Sequence, residues 1–85
     1  MARNIGLTTP FAHQVLHAAQ IGCSNIAPGT VRDAEQLCGP VFWASLKPSE
    51  AKVAGTMISA AVDKGLLPLK RLERSRENHW QYERL

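Results

Sequence analysis

Lys70, Arg71, Arg74 and Arg76 fall within one seven-residue stretch. Fixed cations crowded in this way suit the phosphates of a nucleic acid, or a minor groove. Asn78 and His79 follow and add polar reach, and Trp80 and Tyr82 stand two apart. Aromatics at that spacing can stack on unpaired bases. On a final strand of a domain with few other large side chains, core packing is the better expectation for them. Upstream, Ser49, Lys52 and Thr56 recur at helical spacing. Bidentate contacts to bases come from Arg, Lys, Asn and Gln, and Lys52 alone of the three is of that kind. Ser49 and Thr56 suit phosphates or bases. Val53 and Ala60 suit a thymine methyl or another protein, and Asp63 would repel a DNA backbone. The bland alternative is a solvated hairpin whose Arg residues pair with Glu73 and Glu77.

Other chemistries find less support. His13 and His17 lie four apart, a spacing that can grip a metal, but Gln14-Val15-Leu16 between them lacks the Glu of a zinc-protease helix. Cys23 and Cys38 lack the paired spacing of a zinc site and are too few for a disulfide framework. They are expected reduced and partly buried, with a single bridge as the alternative. No phosphate-cradling glycine loop and no nucleophile motif occurs. Asp33 and Glu35 point apart along a helix surface and make no carboxylate pair. The expectation is a non-enzyme with no metal and no cofactor.

The bulk properties agree with a small binding module. Eighty-five residues, 45% of them apolar, suffice for one globular domain. The net charge of +3 is unevenly placed. Residues 1–46 balance Arg3 and Arg32 against Asp33 and Glu35, so the whole excess lies in 47–85. Such asymmetry suggests a face for an anionic partner. No run of the chain approaches the length needed to span a bilayer, and no leader pattern opens it, so the expected location is the cytoplasm.

Helices and a hairpin must position these residues. Residues 1–8 read as a flexible arm and 9–85 as a single domain. Thr9 caps a first helix with Pro10 at its first position, and Gly22 is expected to stop it. Phe11, Val15, Ala18 and Ala19 form its apolar stripe. Ser24 to Ala27 suits a short strand. Thr30 is expected to cap a second helix carrying Val31, Ala34, Leu37 and Cys38 inward, ended by Gly39-Pro40. Val41 to Leu46 reads as a connector of about one helical turn that plugs the core with Phe42 and Trp43. Pro48 begins a third helix, with Ile58 at the centre of its buried face and a close helix crossing expected at Gly55. Gly65 closes it. Leu66 to Leu72 and Trp80 to Leu85 are strands, with Pro68 at a strand start or edge, around a tip of Glu73 to His79.

The segment "AAVDKGLLPLKRLERSRENHWQYERL" resembles the recognition helix and wing of small prokaryotic winged helix-turn-helix regulators. The spacing of Trp43, Leu46, Gly55, Val62 and Tyr82 is similar, more faintly, to small bacterial and phage single-domain proteins. The winged-helix resemblance implies an α+β fold, mostly α, with three helices and a C-terminal β-hairpin wing. It implies a DNA-binding transcriptional regulator of a bacterium or a mobile element; a homodimer is the expected assembly because so thin a reading face gains affinity and specificity from two half-sites. The third helix would read duplex DNA through Ser49, Lys52 and Thr56, while Lys70, Arg71, Arg74 and Arg76 hold its backbone. The rival function is a winged-helix module for a protein partner. One departure is plain: Gly39 to Lys47 intervenes where helix-turn-helix units use a turn of three or four residues.

Overall fold

A computed structural model describes residues 9–77 and 79–85. The proposed arm over residues 1–8, and Asn78 at the tip, lie outside the described residues. The chain forms α1 (Pro10–Ser24), β1 (Val31–Asp33), α2 (Ala34–Cys38), α3 (Pro40–Ala44), α4 (Pro48–Asp63), β2 (Leu69–Arg74) and β3 (Trp80–Arg84). The strands make one antiparallel sheet in the order β1-β3-β2. This is a small α+β fold with one more helix than the three expected.

The ends of α1 and α4 follow from local chemistry. Thr9 accepts a hydrogen bond from the Ala12 amide through Oγ1 at 3.1 Å, which satisfies one of the amides left over at a helix start. Pro10 supplies the preset φ of the first turn. At α4, Pro48 does the same, and the Glu50 carboxylate accepts from the Lys47 amide at 2.8 Å. Gly65 closes α4 with φ of 73°. The Leu66 amide donates to Ala61 O at 2.9 Å and the Gly65 amide to Val62 O at 3.1 Å, the paired bonds of a left-handed helix stop.

The middle of the chain departs from expectation. Gly22 does not stop α1, which runs on to Ser24 with Asn25 as its cap. Ser24 belongs to α1 and residues 25–27 form no strand, and the strand between the first two long helices lies later, at Val31–Asp33. Thr30 therefore caps nothing helical. Its carbonyl accepts from the Arg84 amide at 2.9 Å and extends the β1–β3 pairing. Asp33 is the cap of α2: its Oδ1 accepts from the Gln36 amide at 2.9 Å, and Gln36 Oε1 accepts from the Asp33 amide at 3.0 Å. This reciprocal box starts a helix directly out of a strand. Gly39, at φ 96°, then separates α2 from α3.

The core gathers Ala12, Val15, Ala19 and Cys23 from α1 with Ala54, Met57, Ile58 and Ala61 from α4, closed by Leu37, Leu67, Leu69 and Tyr82. Ile58 is fully buried, which contributes about 2 kcal/mol of transfer free energy. The close helix crossing expected at Gly55 is found instead at Gly22. A Cβ on Gly22 would lie 1.9 Å from the Leu37 carbonyl oxygen, so the close crossing is between α1 and α2. A Cβ on Gly55 would meet nothing within 4 Å. At the far end of the sheet, Arg84 Nε donates to Cys23 O at 3.0 Å and ties β3 to the last turn of α1.

Candidate nucleic-acid interface

The hairpin is held against α4 by Arg71. Strand alternation places Arg71 and Leu69 on the face that meets the helix, and Lys70 on the other face. Arg71 Nη2 lies 2.8 Å from Asp63 Oδ1, and Nη1 donates to Ser59 Oγ. Ser59 also shares a hydrogen bond with Tyr82, which is 1% exposed. Burial pushes the Tyr82 phenol up, while Ser59 and the Arg71 guanidinium pull it down and Asp63 reinforces the rise. Asp63, expected to repel a DNA backbone, is thus occupied in balancing Arg71. Arg71, expected to meet phosphate, has its guanidinium tied to Asp63 and Ser59 while its side chain stays 33% exposed.

A bulge then redirects the strand. Arg71 pairs with Tyr82 and Arg74 with Trp80, so Leu72 and Glu73 both stand opposite Gln81. The extra residue reverses the alternation and returns Arg74 to the side of Arg71. Both guanidiniums lie over the Trp80 ring, at 5.1 Å for Arg71 and 4.7 Å for Arg74, within cation–π range. Ser75 and His79 close the tip: the Ser75 amide donates to His79 O at 2.8 Å, and the His79 amide donates to Ser75 Oγ at 3.3 Å. Arg76 is exposed in the turn between them.

Between the hairpin, α4 and the start of α2 runs a groove of about 430 Å³. Lys52, Gly55 and Thr56 of α4 line one wall, Arg74, His79 and Trp80 of the hairpin a second, and Asp33, Glu35 and Trp43 a third. His79 Nδ1 stands 3.9 Å from Asp33 Oδ2, across the junction of hairpin and α2. Thr56 Oγ1 donates to Lys52 O within its own helix at 3.1 Å, which leaves its oxygen lone pairs outward.

The seven residues expected to meet nucleic acid therefore divide. Lys52, Thr56 and Arg74 share the groove. Ser49 is exposed on the first turn of α4, and Arg76 is exposed on the tip. Lys70 faces away, and Arg71 is tied to Asp63 and Ser59. Trp80 and Tyr82 also part company: Tyr82 is core, as expected, but Trp80 is only partly buried and borders the groove. Trp43, expected as a core plug, reaches the same groove. Asp33 and Glu35 join the site against expectation, although Asp33-Ala34-Glu35-Gln36 carries the spacing of a capping box that places them at the start of a helix.

Elsewhere, His13 and His17 are exposed on α1. No group of three or more metal-binding side chains occurs among the described residues. Cys23 and Cys38 are free and buried, and Cys38 is pushed up to about 12 by burial, with Cys23 adding to the rise. No described helix is long and apolar enough to cross a membrane. The chain matches no protein-family model, no curated protein and no solved structure.

Proposed function

We propose that the chain is a small winged-helix protein that binds duplex DNA, in the manner of a transcriptional regulator. The observation that carries this reading is that Lys52 and Thr56 of α4 and Arg74 of the hairpin line one groove. Helix and wing thus offer their polar groups to one ligand. The sheet order β1-β3-β2, with a hairpin following the longest helix, supports the winged-helix layout. Arg76 on the tip and Ser49 on the first turn of α4 extend the binding surface to either side. Two copies would place two such surfaces on neighbouring half-sites and raise affinity and specificity together.

The salt dependence of binding to a duplex DNA column tests it. Changing Arg74 and Arg76 to Ala together is expected to flatten the log–log salt slope by about 0.9 for each phosphate that is no longer neutralised. Lys70→Ala, on the opposite sheet face, serves as the internal control and leaves the slope nearly unaltered. Equal elution of the double variant and the parent protein overturns the reading.

A protein partner keeps one specific observation in its favour. Val41 on α3 is 86% exposed, and Val53, on the outward side of α4, is 46% exposed. Apolar groups so placed suit another protein better than a phosphate backbone. The same column decides between the two.

A further inference from the structure

Trp43 and Trp80 border one groove, and both leave part of their rings uncovered. The groove walls differ in charge. The start of α2 contributes Asp33 and Glu35, whereas α4 and the hairpin contribute Lys52, Arg74 and His79. A simple cation is poorly matched, because Arg74 already lies over Trp80. A simple anion would meet the two carboxylates. Both walls are satisfied by a ligand with a flat apolar ring, N–H donors on the ring edge and a phosphate attached.

We infer that the groove takes one unpaired nucleotide of the nucleic acid held by α4 and the hairpin. Its base stacks on the Trp43 indole, since the Arg71 and Arg74 guanidiniums already lie over Trp80; stacking on an aromatic ring is the mode by which unpaired bases are gripped without regard to pairing. Its N–H edge, on guanine, cytosine or adenine, faces the Asp33 and Glu35 carboxylates. Asp33 Oδ1 is engaged in capping α2 and Oδ2 faces His79 Nδ1 at 3.9 Å, which leaves both oxygens of Glu35 to accept. The phosphate lies toward Lys52 and Arg74. Gly55 keeps the helix wall low where the ring must enter, since a side chain there would stand in open space. This inference rests on the nucleic-acid reading above and adds the form of nucleic acid preferred. An unpaired base enters without the cost of breaking a base pair, so the preference is for a duplex interrupted by such a base.

Two labelled duplexes test it with the full chain: one fully paired, the other identical but for a single unpaired guanine. Fluorescence anisotropy is expected to show about tenfold tighter binding to the interrupted duplex, as one stacked base provides. Tryptophan emission is expected to be quenched by the interrupted duplex alone. Gly55→Leu fills the groove from a helix position that favours Leu over Gly, so its melting temperature is expected to stay at or above that of the parent. It should bring the ratio of the two affinities to about one. Equal affinities in the parent protein, or a preference that survives Gly55→Leu, overturn the inference and leave duplex binding standing. Binding of free guanosine monophosphate with no gain for the interrupted duplex overturns it as well. Failure to bind either duplex at low salt removes both this inference and the function on which it rests.

Discussion

Where α1 crosses α2, Gly22 lies so close to Leu37 that a single added carbon would meet the Leu37 carbonyl oxygen at 1.9 Å. Where α4 faces the hairpin, the same carbon on Gly55 would touch nothing within 4 Å. The first region is packed tightly against backbone, with Ala19 and Cys23 buried beside the glycine. The second is bridged by polar ties through Arg71 and leaves a groove beside them. The contrast teaches that the same residue type sits in tight packing on one side of the molecule and beside an open groove on the other. The residue type is identical; only the neighbours decide whether it closes a gap or keeps one open.

The largest expected effect is on the closed side. Gly22→Ala should destabilise the domain by about 3 kcal/mol, because backbone and not a pliable side chain obstructs the new methyl. Urea denaturation reads it directly, and a loss under about 0.5 kcal/mol would show that the crossing is loose in solution. On the open side, Arg71→Ala removes the ion pair with Asp63, the bond to Ser59 and the stacking on Trp80. The expected loss is about 1–2 kcal/mol, since each tie is partly solvated. A double-mutant cycle with Asp63→Ala should show coupling between the two positions, and strict additivity would dissolve the proposed tie. Gly55→Ala should stabilise by about 1 kcal/mol through helix propensity alone. A destabilised Gly55→Ala would mean that the groove is closed in solution.

The smallest effect at neutral pH comes from the closed side again. The Cys38 thiol has its native pKa raised from 9.0 to about 12 by burial and by Cys23. The native state therefore holds this proton more firmly than the unfolded chain does. The resulting stabilisation is whole below pH 9 and is lost as pH rises from there toward 12. Cys23 and Tyr82, both raised by burial, act in the same direction. Stability measured from about pH 9 upward toward 12 should fall, and Cys38→Ala should make that fall shallower. An unchanged slope in the variant would assign the alkaline loss to other groups.

The contrast also marks what could be read from the chain. Thr9, Pro10, Pro48 and Gly65 act within a few residues of their own positions, and each sits where local chemistry puts it. Gly22 and Gly55 do not. Both interrupt an amphipathic helix, and the crossing partner of Gly22 is Leu37, which is distant in the chain. A local clue existed: the stripe of Ala12, Val15 and Ala19 continues through position 22 to the buried Cys23, which argues for a longer helix. Thr30 and Asp33 both have the chemistry of a cap, and the three-residue β1 is fixed by its pairing with β3 far downstream. Strand alternation alone would have set Lys70 outward and Arg71 inward. The return of Arg74 toward Trp80 depends on a bulge for which Leu72 and Glu73 give no signal.

The place of β3 in the sheet has a consequence for biogenesis. It is the central strand, yet it follows both of its neighbours in chain order. While a ribosome is making this segment, β1 and β2 have no common partner until residues 80–84 leave the exit tunnel. Helices can gather earlier, because their hydrogen bonds are local, but the last registration event must wait for the end of the domain. Nascent chains stalled before Trp80 should accordingly be open to protease, and those stalled well beyond Leu85 should be resistant.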